Sequence, residues 1–423
     1  MPALLSSMHL AWPGGPLSGT AQLPASKSEA NRALILQALA GGGTLSNLSD
    51  AHDTQLMRRL LAAAPGTDRL DAEDAGTVMR FLTAYLAVTG WRGQLTGTAR
   101  MQERPIAVLV EALRQAGAAI SYLNQEGYPP LQLAGFAAAP SASAQQPLQL
   151  TVRGDISSQY ISALLMVGPK LRGGLRLQLT GHVGSRPYIA MTAALMKRFG
   201  AQVTVSENHC VVVPDGYRPT DYEVEADWSA ASYWYALVAL APAGSEIELP
   251  GLRQQSLQGD QAIAGIMAHF GVETTFQTNG VRLVQRARIK DAGELTFDFA
   301  GCPDLAQTVA VVAAALGVPV EMTGLESLRI KETDRIAALQ NELGKFGGTL
   351  REVGEGRFRV ESAGFAVAGQ TVATYHDHRM AMAFAPLALR GALNIEAPGV
   401  VKKSYPQFWQ ELARAGFTLS EAG

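Results

Sequence analysis

Along the chain, apolar positions recur at three- and four-residue spacing, meet a glycine, and then give way to apolar–polar alternation. The pattern runs through VEALRQAGAAISYL around Gly117, TAALMKRFGAQVTV around Gly200 and IAGIMAHFGVETTF around Gly271. It returns in ALQNELGKFGGTLREV around Gly347 and WQELARAGFTLSE around Gly416, and a weaker first copy, QLMRRLLAAAPG, ends at Gly66. The first part predicts an amphipathic helix, and the glycine suits the left-handed residue that ends one. The alternation predicts a strand. Turn pairs such as Glu126-Gly127 and Asn279-Gly280, followed by LQLAG and VRLVQ, predict a second strand beside it. Each copy is expected as helix, cap and β-hairpin.

Such units cannot bury their apolar faces alone, so they pack together. Spacings of about 50 to 80 residues are too long and irregular for a solenoid. Several α/β units in one or two compact bodies are expected instead. The chain has 423 residues, 47% of them hydrophobic, which is enough for two cores. Residues 137–147 (AAAPSASAQQP) are expected as a surface loop, and the composition change at 240–250 within LAPAGSEIELPGL as a hinge.

A formal charge of −2 argues against a surface that coats nucleic acid or an anionic membrane. Anion chemistry must then rest on local clusters of Lys and Arg. Cys210 and Cys302 are far apart and form no CxxC pair, which leaves no disulfide framework and no zinc-knuckle spacing. The opening MPALLSSMHLAWPGGPLSGT has no basic stretch leading into a long apolar run. No later segment reaches the roughly 20 apolar residues of a membrane span. A cytoplasmic protein is expected.

Polar groups gather just ahead of the predicted helices. LPASKSEANRALIL offers Lys27, Ser28 and Arg32 at a helix start, where free amides and the dipole favour anions. The glycines of a Walker loop are missing. DAGTVMRFLTA brings Gly76, Thr77 and Arg80, with a glycine that permits close approach to the backbone. RMQERPIAVLVEAL brings Arg100 and Arg104, with Pro105 expected in the first turn of the next helix. GDISSQYISALL adds Ser157, Ser158 and Gln159, and SRPYIAMTAALM adds Ser185 and Tyr188. One such cluster is an ordinary cap. A run of them points to a surface that holds a polyanionic, hydroxyl-rich ligand.

The second half carries more charge. CPDLAQTVAVVAAALG puts Asp304 at a helix start, which by itself reads as an N-cap. RIKETDRIAALQNEL holds Lys331, Glu332, Asp334 and Arg335, and its spacing predicts Lys331 and Arg335 on one helical face. YHDHRMAMAFAPLAL presents His376, Asp377, His378 and Arg379. The two histidines lack a convergent third ligand, so no metal is assigned. VKKSYPQFW supplies Lys402 and Lys403.

In order, SKSEANRA, DAGTVMR, RMQERPI, GDISSQ, SRPYI, ADWSAASY, SLQGD, CPD, RIKETDR, DHRMAM and KKSYP resemble the diagnostic segments of the 5-enolpyruvylshikimate-3-phosphate (EPSP) synthase family. The resemblance runs from about Leu23 to Phe408, and KETDR and DHRMA are quite specific to that family. It implies the α/β, two-lobed enolpyruvyl transferase fold, an inside-out α/β barrel with six βαβαββ repeats, three per lobe, helices inside and sheets outside. The first lobe is expected at 20–226, and the second at 1–19 with 227–423. The implied activity belongs to the shikimate pathway to aromatic amino acids. The enolpyruvyl group of phosphoenolpyruvate moves to the 5-hydroxyl of shikimate 3-phosphate, and phosphate is released.

The resemblance also implies a site. Phosphoenolpyruvate is expected on Lys27, Gly76, Arg104, Gln159, Arg335, Arg379 and Lys403. Shikimate 3-phosphate is expected on Lys27, Ser28, Arg32, Ser157, Ser158, Gln159, Ser185, Asp304, Ser327 and Lys331. Lys403 is preferred to Lys402 because it directly precedes Ser-Tyr-Pro. Asp304 is implied as the base on the hydroxyl. Lys27 and Glu332 are implied as proton carriers to and from carbon, in an order the sequence leaves open. The residue types agree with this, because two phosphates and two carboxylates need several cations, and Arg grips both groups bidentately. No metal, nucleotide or redox cofactor is implied. The expected partners are the two substrates, with neither nucleic acid nor membrane, and a monomer is expected.

Two rival readings stand beside this one. The related transferase acting on UDP-N-acetylglucosamine typically has a catalytic Cys in a first-half loop. Here Cys210 sits in strand-like HCVVVP, and the Arg104 region has no Cys. A non-catalytic relative would have no use for Asp304, Glu332 and Lys27. The chain also departs from the family pattern. Asp74 stands for Asn, Phe81 for Pro, Ser327 and His376 for Asn, and Glu29 and Ala30 for an apolar residue and Ser. These changes bear on substrate affinity and on sensitivity to the inhibitor glyphosate.

Overall fold

The computed structural model describes residues 6–136, 146–154, 157–181, 183–184, 186–214, 216–286 and 294–421. Most of the loop expected at 137–147 lies outside them. The chain divides into two compact units. Met1–Ser26 with Glu225–Gly423 forms the terminal unit, and Lys27–Val224 the middle unit. Residues 20–26 therefore pack with the terminal unit.

One supersecondary pattern recurs in both. In the middle unit, strand Arg69–Asp71, helix Gly76–Val88 and strand Arg92–Thr96 are followed by helix Ala107–Ala116 and strands Ala118–Tyr122 and Leu131–Phe136. The first two strands pair in parallel, and the last two form an antiparallel hairpin whose second strand joins the parallel pair. Strands Leu148–Arg153, Leu175–Thr180, Val203–Val205 and His209–Val212 repeat that order. So, in the terminal unit, do Leu295–Asp298, Val320–Thr323, Gly348–Gly354 and Arg357–Ser362.

Other copies borrow or lose strands. Thr371–Val372, Leu393–Glu396 and Thr418–Glu421 take Ser7–Ala11 from the start of the chain as the strand between the last two. The sheet of Glu246–Pro250, Val272–Gln277 and Gly280–Gln285 is extended by a bridge between Thr20 and Glu248. Residues 240–250, expected as a hinge, are thus the end of a buried helix and a sheet strand paired to Gly280–Val284. Pro242 and Gly244 mark the turn between them.

The glycines at these helix ends behave as the pattern predicts, although the strand after Gly416 pairs with Ser7–Ala11 and forms no hairpin. Gly117, Gly200, Gly271, Gly347 and Gly416 have φ between 84° and 108°, the left-handed conformation that ends a helix. Gly66 differs: it sits in the 3-10 turn Ala64–Gly66, and the next strand opens the following unit instead of a hairpin. That copy keeps a single two-residue pairing, Leu45–Ser46 with Tyr222–Glu223.

Helices lie inside each unit and sheets outside, and the reason is in the residues. Trp228–Leu240 is buried at every position but Ser229, and Ala306–Leu316 at every position but Leu316. Helices apolar all round need a core on all sides. Leu148–Arg153 and Leu175–Thr180 alternate buried and exposed, as sheets with one solvated face do. Among the described residues, no helix is long and apolar enough to cross a membrane.

Candidate active site

In the middle unit, helix starts gather the polar groups. Arg32, on the Lys27–Ala40 helix, is buried. Its Nε donates to Thr192 Oγ1 at 2.7 Å, Nη2 to Ser162 Oγ at 3.1 Å and Nη1 to the Ser28 carbonyl at 2.8 Å. The guanidinium lies over the rings of Phe81 and Tyr188, at 5.3 and 5.7 Å. Phe81, one of the departures from the family pattern, thus supplies an aromatic face for this arginine. Burial lowers the Arg32 pKa to about 10, against the opposing pull of Tyr188 and Glu29. Glu29, another departure, is itself buried and accepts from the Tyr222 hydroxyl at 2.7 Å. Lys27 opens the helix with its Nζ 3.3 Å from Asp53 Oδ2.

A second group surrounds Gly76, the first residue of its helix. A Cβ built on Gly76 would stand 2.6 Å from Arg80 Nη1 and 2.8 Å from both terminal nitrogens of Arg104. Two guanidinium groups therefore crowd a position where any side chain would force them to shift. Arg80 Nη1 donates to Gln159 Oε1 at 3.0 Å, and Gln159 Nε2 donates to Thr77 Oγ1 at 3.0 Å. Ser157 caps the Ser158–Val167 helix by accepting from the Gln159 amide. Tyr160 donates to the Pro105 carbonyl at 2.5 Å and carries Arg80 over its ring at 5.2 Å, which fixes the segment bearing Arg104. Pro105 itself precedes that helix, which begins at Ala107. Ser185 lies outside the described residues.

The terminal unit has a denser arrangement. Asp304, in the 3-10 turn Pro303–Leu305, caps no helix. Its Oδ1 accepts from Arg335 Nη1 at 3.1 Å, and its Oδ2 from Arg379 Nη2 at 2.8 Å. Arg335 also donates to Asp377 Oδ2 at 2.6 Å and to Glu332 Oε2 at 2.9 Å. Arg379 Nη1 reaches Ser229 Oγ at 2.8 Å and the Tyr233 hydroxyl at 3.4 Å. Lys403 Nζ lies 3.9 Å from Glu332 Oε1, whereas Lys402 is exposed. Ser327 is half-buried in the turn Glu326–Ile330.

One local expectation is overturned. Lys331 and Arg335 do not share a helical face, because the helix begins at Arg335. The Asp334 carboxylate accepts from the Ile336 and Ala337 amides and so sets the N-terminus there. Lys331 stays on the preceding turn. Similarly, Asp377 caps the His378–Phe384 helix through the Arg379 amide while its other oxygen holds Arg335.

Charges in this unit shift one another. Burial alone would raise the Asp304 carboxyl, but Arg379, Arg335 and Lys331 hold it well below the usual range. Burial lowers Lys331, against the pull of Asp304. Arg335 is driven the other way: Asp377, Glu332 and Asp304 overcome burial and raise it. Burial raises Asp260 to about 7, helped by Asp304 and opposed by Arg379. Among the described residues, no group of three or more His, Cys, Asp or Glu could hold a metal ion.

Several residues of this network carry no role in the sequence reading: Asp377, Asp53, Arg80, Ser229 and Asp260. Ser229 and Asp260 sit in ADWSAASY and SLQGD, so the signal was present as motif without a stated chemistry. Asp53 and Asp377 become partners of Lys27 and Arg335 through contacts 26 and 42 residues apart, which no local pattern displays.

The sequence model of EPSP synthase (3-phosphoshikimate 1-carboxyvinyltransferase) matches residues 61–412. A 3-phosphoshikimate 1-carboxyvinyltransferase of Bacteroides fragilis (strain YCH46) is 48% identical over 411 residues, covering 95% of this chain and 96% of the relative. That of Paraburkholderia phytofirmans is 38% identical over 425 residues, covering 93% and 95%. The solved EPSP synthase of Acinetobacter baumannii superposes with a TM-score of 0.80 at 21% identity, over 98% of this chain and 100% of that one.

Proposed function

The chain belongs to the EPSP synthase family, and on that premise we propose how its own residues carry out the family's reaction. It is a 3-phosphoshikimate 1-carboxyvinyltransferase, moving the enolpyruvyl group of phosphoenolpyruvate to the 5-hydroxyl of shikimate 3-phosphate with release of phosphate. The proposal rests on one observation above all. Asp304 accepts from Arg335 and Arg379 at once, beside Glu332 and Lys403. In this reading Lys27, Gly76, Arg104, Gln159, Arg335, Arg379 and Lys403 take phosphoenolpyruvate. Lys27, Ser28, Arg32, Ser157, Ser158, Gln159, Ser185, Asp304, Ser327 and Lys331 take shikimate 3-phosphate.

Asp304 removes the hydroxyl proton as the oxygen attacks the central carbon, and Lys27 and Glu332 deliver and recover the proton at the methylene carbon. The resulting tetrahedral intermediate expels phosphate, which leaves with its bonding pair, and loss of the methyl proton restores the double bond. A base works best with a pKa near the operating pH, and Asp304 sits far below it while both arginines grip it. An incoming carboxylate and phosphate compete for those guanidiniums. As their hold loosens, Asp304 becomes the stronger base. The cations then offset charge on the departing phosphate.

The test is to mix the purified protein with phosphoenolpyruvate and either shikimate 3-phosphate or UDP-N-acetylglucosamine, and to follow phosphate release. Release with shikimate 3-phosphate alone is expected. Release with the nucleotide sugar, or with neither, overturns the reading. The same proposal takes the enzyme as a cytoplasmic monomer. Two buried cysteines held as free thiols, Cys210 and Cys302, fit a reducing compartment, and light scattering decides the oligomeric state.

A further inference from the structure

We propose that Asp260 is a positioning residue for Arg379, acting through the hydroxyl of Ser229. Ser229 Oγ accepts from Arg379 Nη1 at 2.8 Å and donates its one proton to Asp260 Oδ2 at 2.7 Å. A hydroxyl can do both only when its proton is directed away from the guanidinium, and the carboxyl group directs it there. Without Asp260 the Ser229 hydroxyl is free to turn its proton toward Arg379 and lose the acceptor contact. Ser229 is also the one residue of its helix that is not buried, so the contact lies at the rim of the core. The inference rests on the reading of Arg379 as a ligand of phosphoenolpyruvate.

Asp260 is buried, and its Oδ1 has no hydrogen-bond partner among the described residues. The groups that face it are Asp304 and Cys302 at the Pro303–Leu305 turn, Asp227 and Ser229 at the Trp228–Leu240 helix, and Arg379. Burial first, then the Asp304 carboxylate, raises its pKa to about 7, so it is protonated below that pH and charged above it. The neutral form leaves more of the Arg379 charge to a bound anion. Apart from the substrate's own titration, phosphoenolpyruvate is therefore held more tightly at pH 6 than at pH 8, and binding takes up a proton at Asp260. A carboxyl with a raised folded-state value also stabilises the fold least at high pH, since its contribution falls as pH rises through about 7.

The experiment measures KM for each substrate and kcat by phosphate release from pH 6 to 8, with thermal melts alongside. Turnover by the wild-type enzyme comes first: its failure would overturn the functional reading and this proposal with it, whereas failure of the variant effects below would overturn this proposal alone. Given turnover, Asp260→Ala and Ser229→Ala should each raise KM for phosphoenolpyruvate about tenfold, with KM for shikimate 3-phosphate within about threefold. Asp260→Asn keeps an acceptor for Ser229, so it should recover most of the affinity and lose the part of the pH dependence that wild type shows beyond the substrate's own titration. It should also melt above wild type at pH 8, with a smaller gap at pH 5. Equal rises in both KM values, or an Asn variant with the wild-type pH profile, would overturn the proposal. Should Asp260→Ala fail to fold, Ser229→Ala decides alone: an unchanged KM for phosphoenolpyruvate overturns the proposal, and a selective rise supports it.

Discussion

The two units hold their buried arginines in opposite ways. In the terminal unit Arg335 is locked by three carboxylates, Asp304, Glu332 and Asp377, and Arg379 shares Asp304. In the middle unit the hydrogen bonds of Arg32 and Arg80 run to hydroxyls, carbonyls and an amide, with aromatic faces against the guanidiniums. A carboxylate lock cancels the charge it positions, so an anion arriving there must compete with internal acids. A neutral lock positions the cation and leaves its field intact, at the cost of the desolvation that lowers Arg32. In the proposed mechanism the same residue type thus serves reactivity in one unit, where Asp304 waits under restraint, and attraction in the other.

The sharpest way to break this contrast is Asp304→Asn. Loss of the proposed base should lower kcat about 10²–10⁴-fold at saturating substrates, measured by phosphate release. A fall of less than tenfold would remove Asp304 from proton transfer. Next in size is Asp377→Ala, which strands the buried Arg335 guanidinium without its shortest acceptor. Urea melts should show a loss of about 3–5 kcal/mol, as for a buried pair with one partner deleted. A loss below about 1 kcal/mol would mean that Asp304 and Glu332 suffice to hold the charge.

In the middle unit the effects should be smaller and fall on binding. Gly76→Ala puts a methyl group within 3 Å of both Arg80 and Arg104, and those guanidiniums must move. The expected result is a KM for phosphoenolpyruvate raised on the order of tenfold to a hundredfold with little change in melting temperature. An unaltered KM would show that neither arginine meets the substrate. Thr192→Val removes one neutral acceptor of Arg32 and should cost only about 1 kcal/mol in a urea melt. If it cost as much as Asp377→Ala, the distinction between the two kinds of lock would fail.

Much of this architecture was legible from residue order. Apolar spacing followed by glycine located the helices and hairpins around Gly117, Gly200, Gly271 and Gly347, because periodicity and a left-handed cap are local properties of the backbone. At Gly416 it located the helix and one strand, whose partner is Ser7–Ala11 instead of a hairpin strand. The copy ending at Gly66 escaped that logic: its helix is local, but the fate of its hairpin depends on which strands remain to pair. The 240–250 segment was misjudged for the same reason, since a turn-rich composition does not reveal that a strand beyond it has a partner at Gly280–Val284.

The sequence by itself determined the family, the reaction and which side chains bear charge, since ordered motifs and residue chemistry are written in one dimension. Tertiary structure alone decided what those charges do to each other. Lys331 and Arg335 look like helical neighbours until Asp334 caps the helix between them. Asp304 reads as a cap until two arginines from distant helices close on it. The physical reason is that electrostatic coupling depends on distance and burial through the folded chain, and neither is a function of position along it.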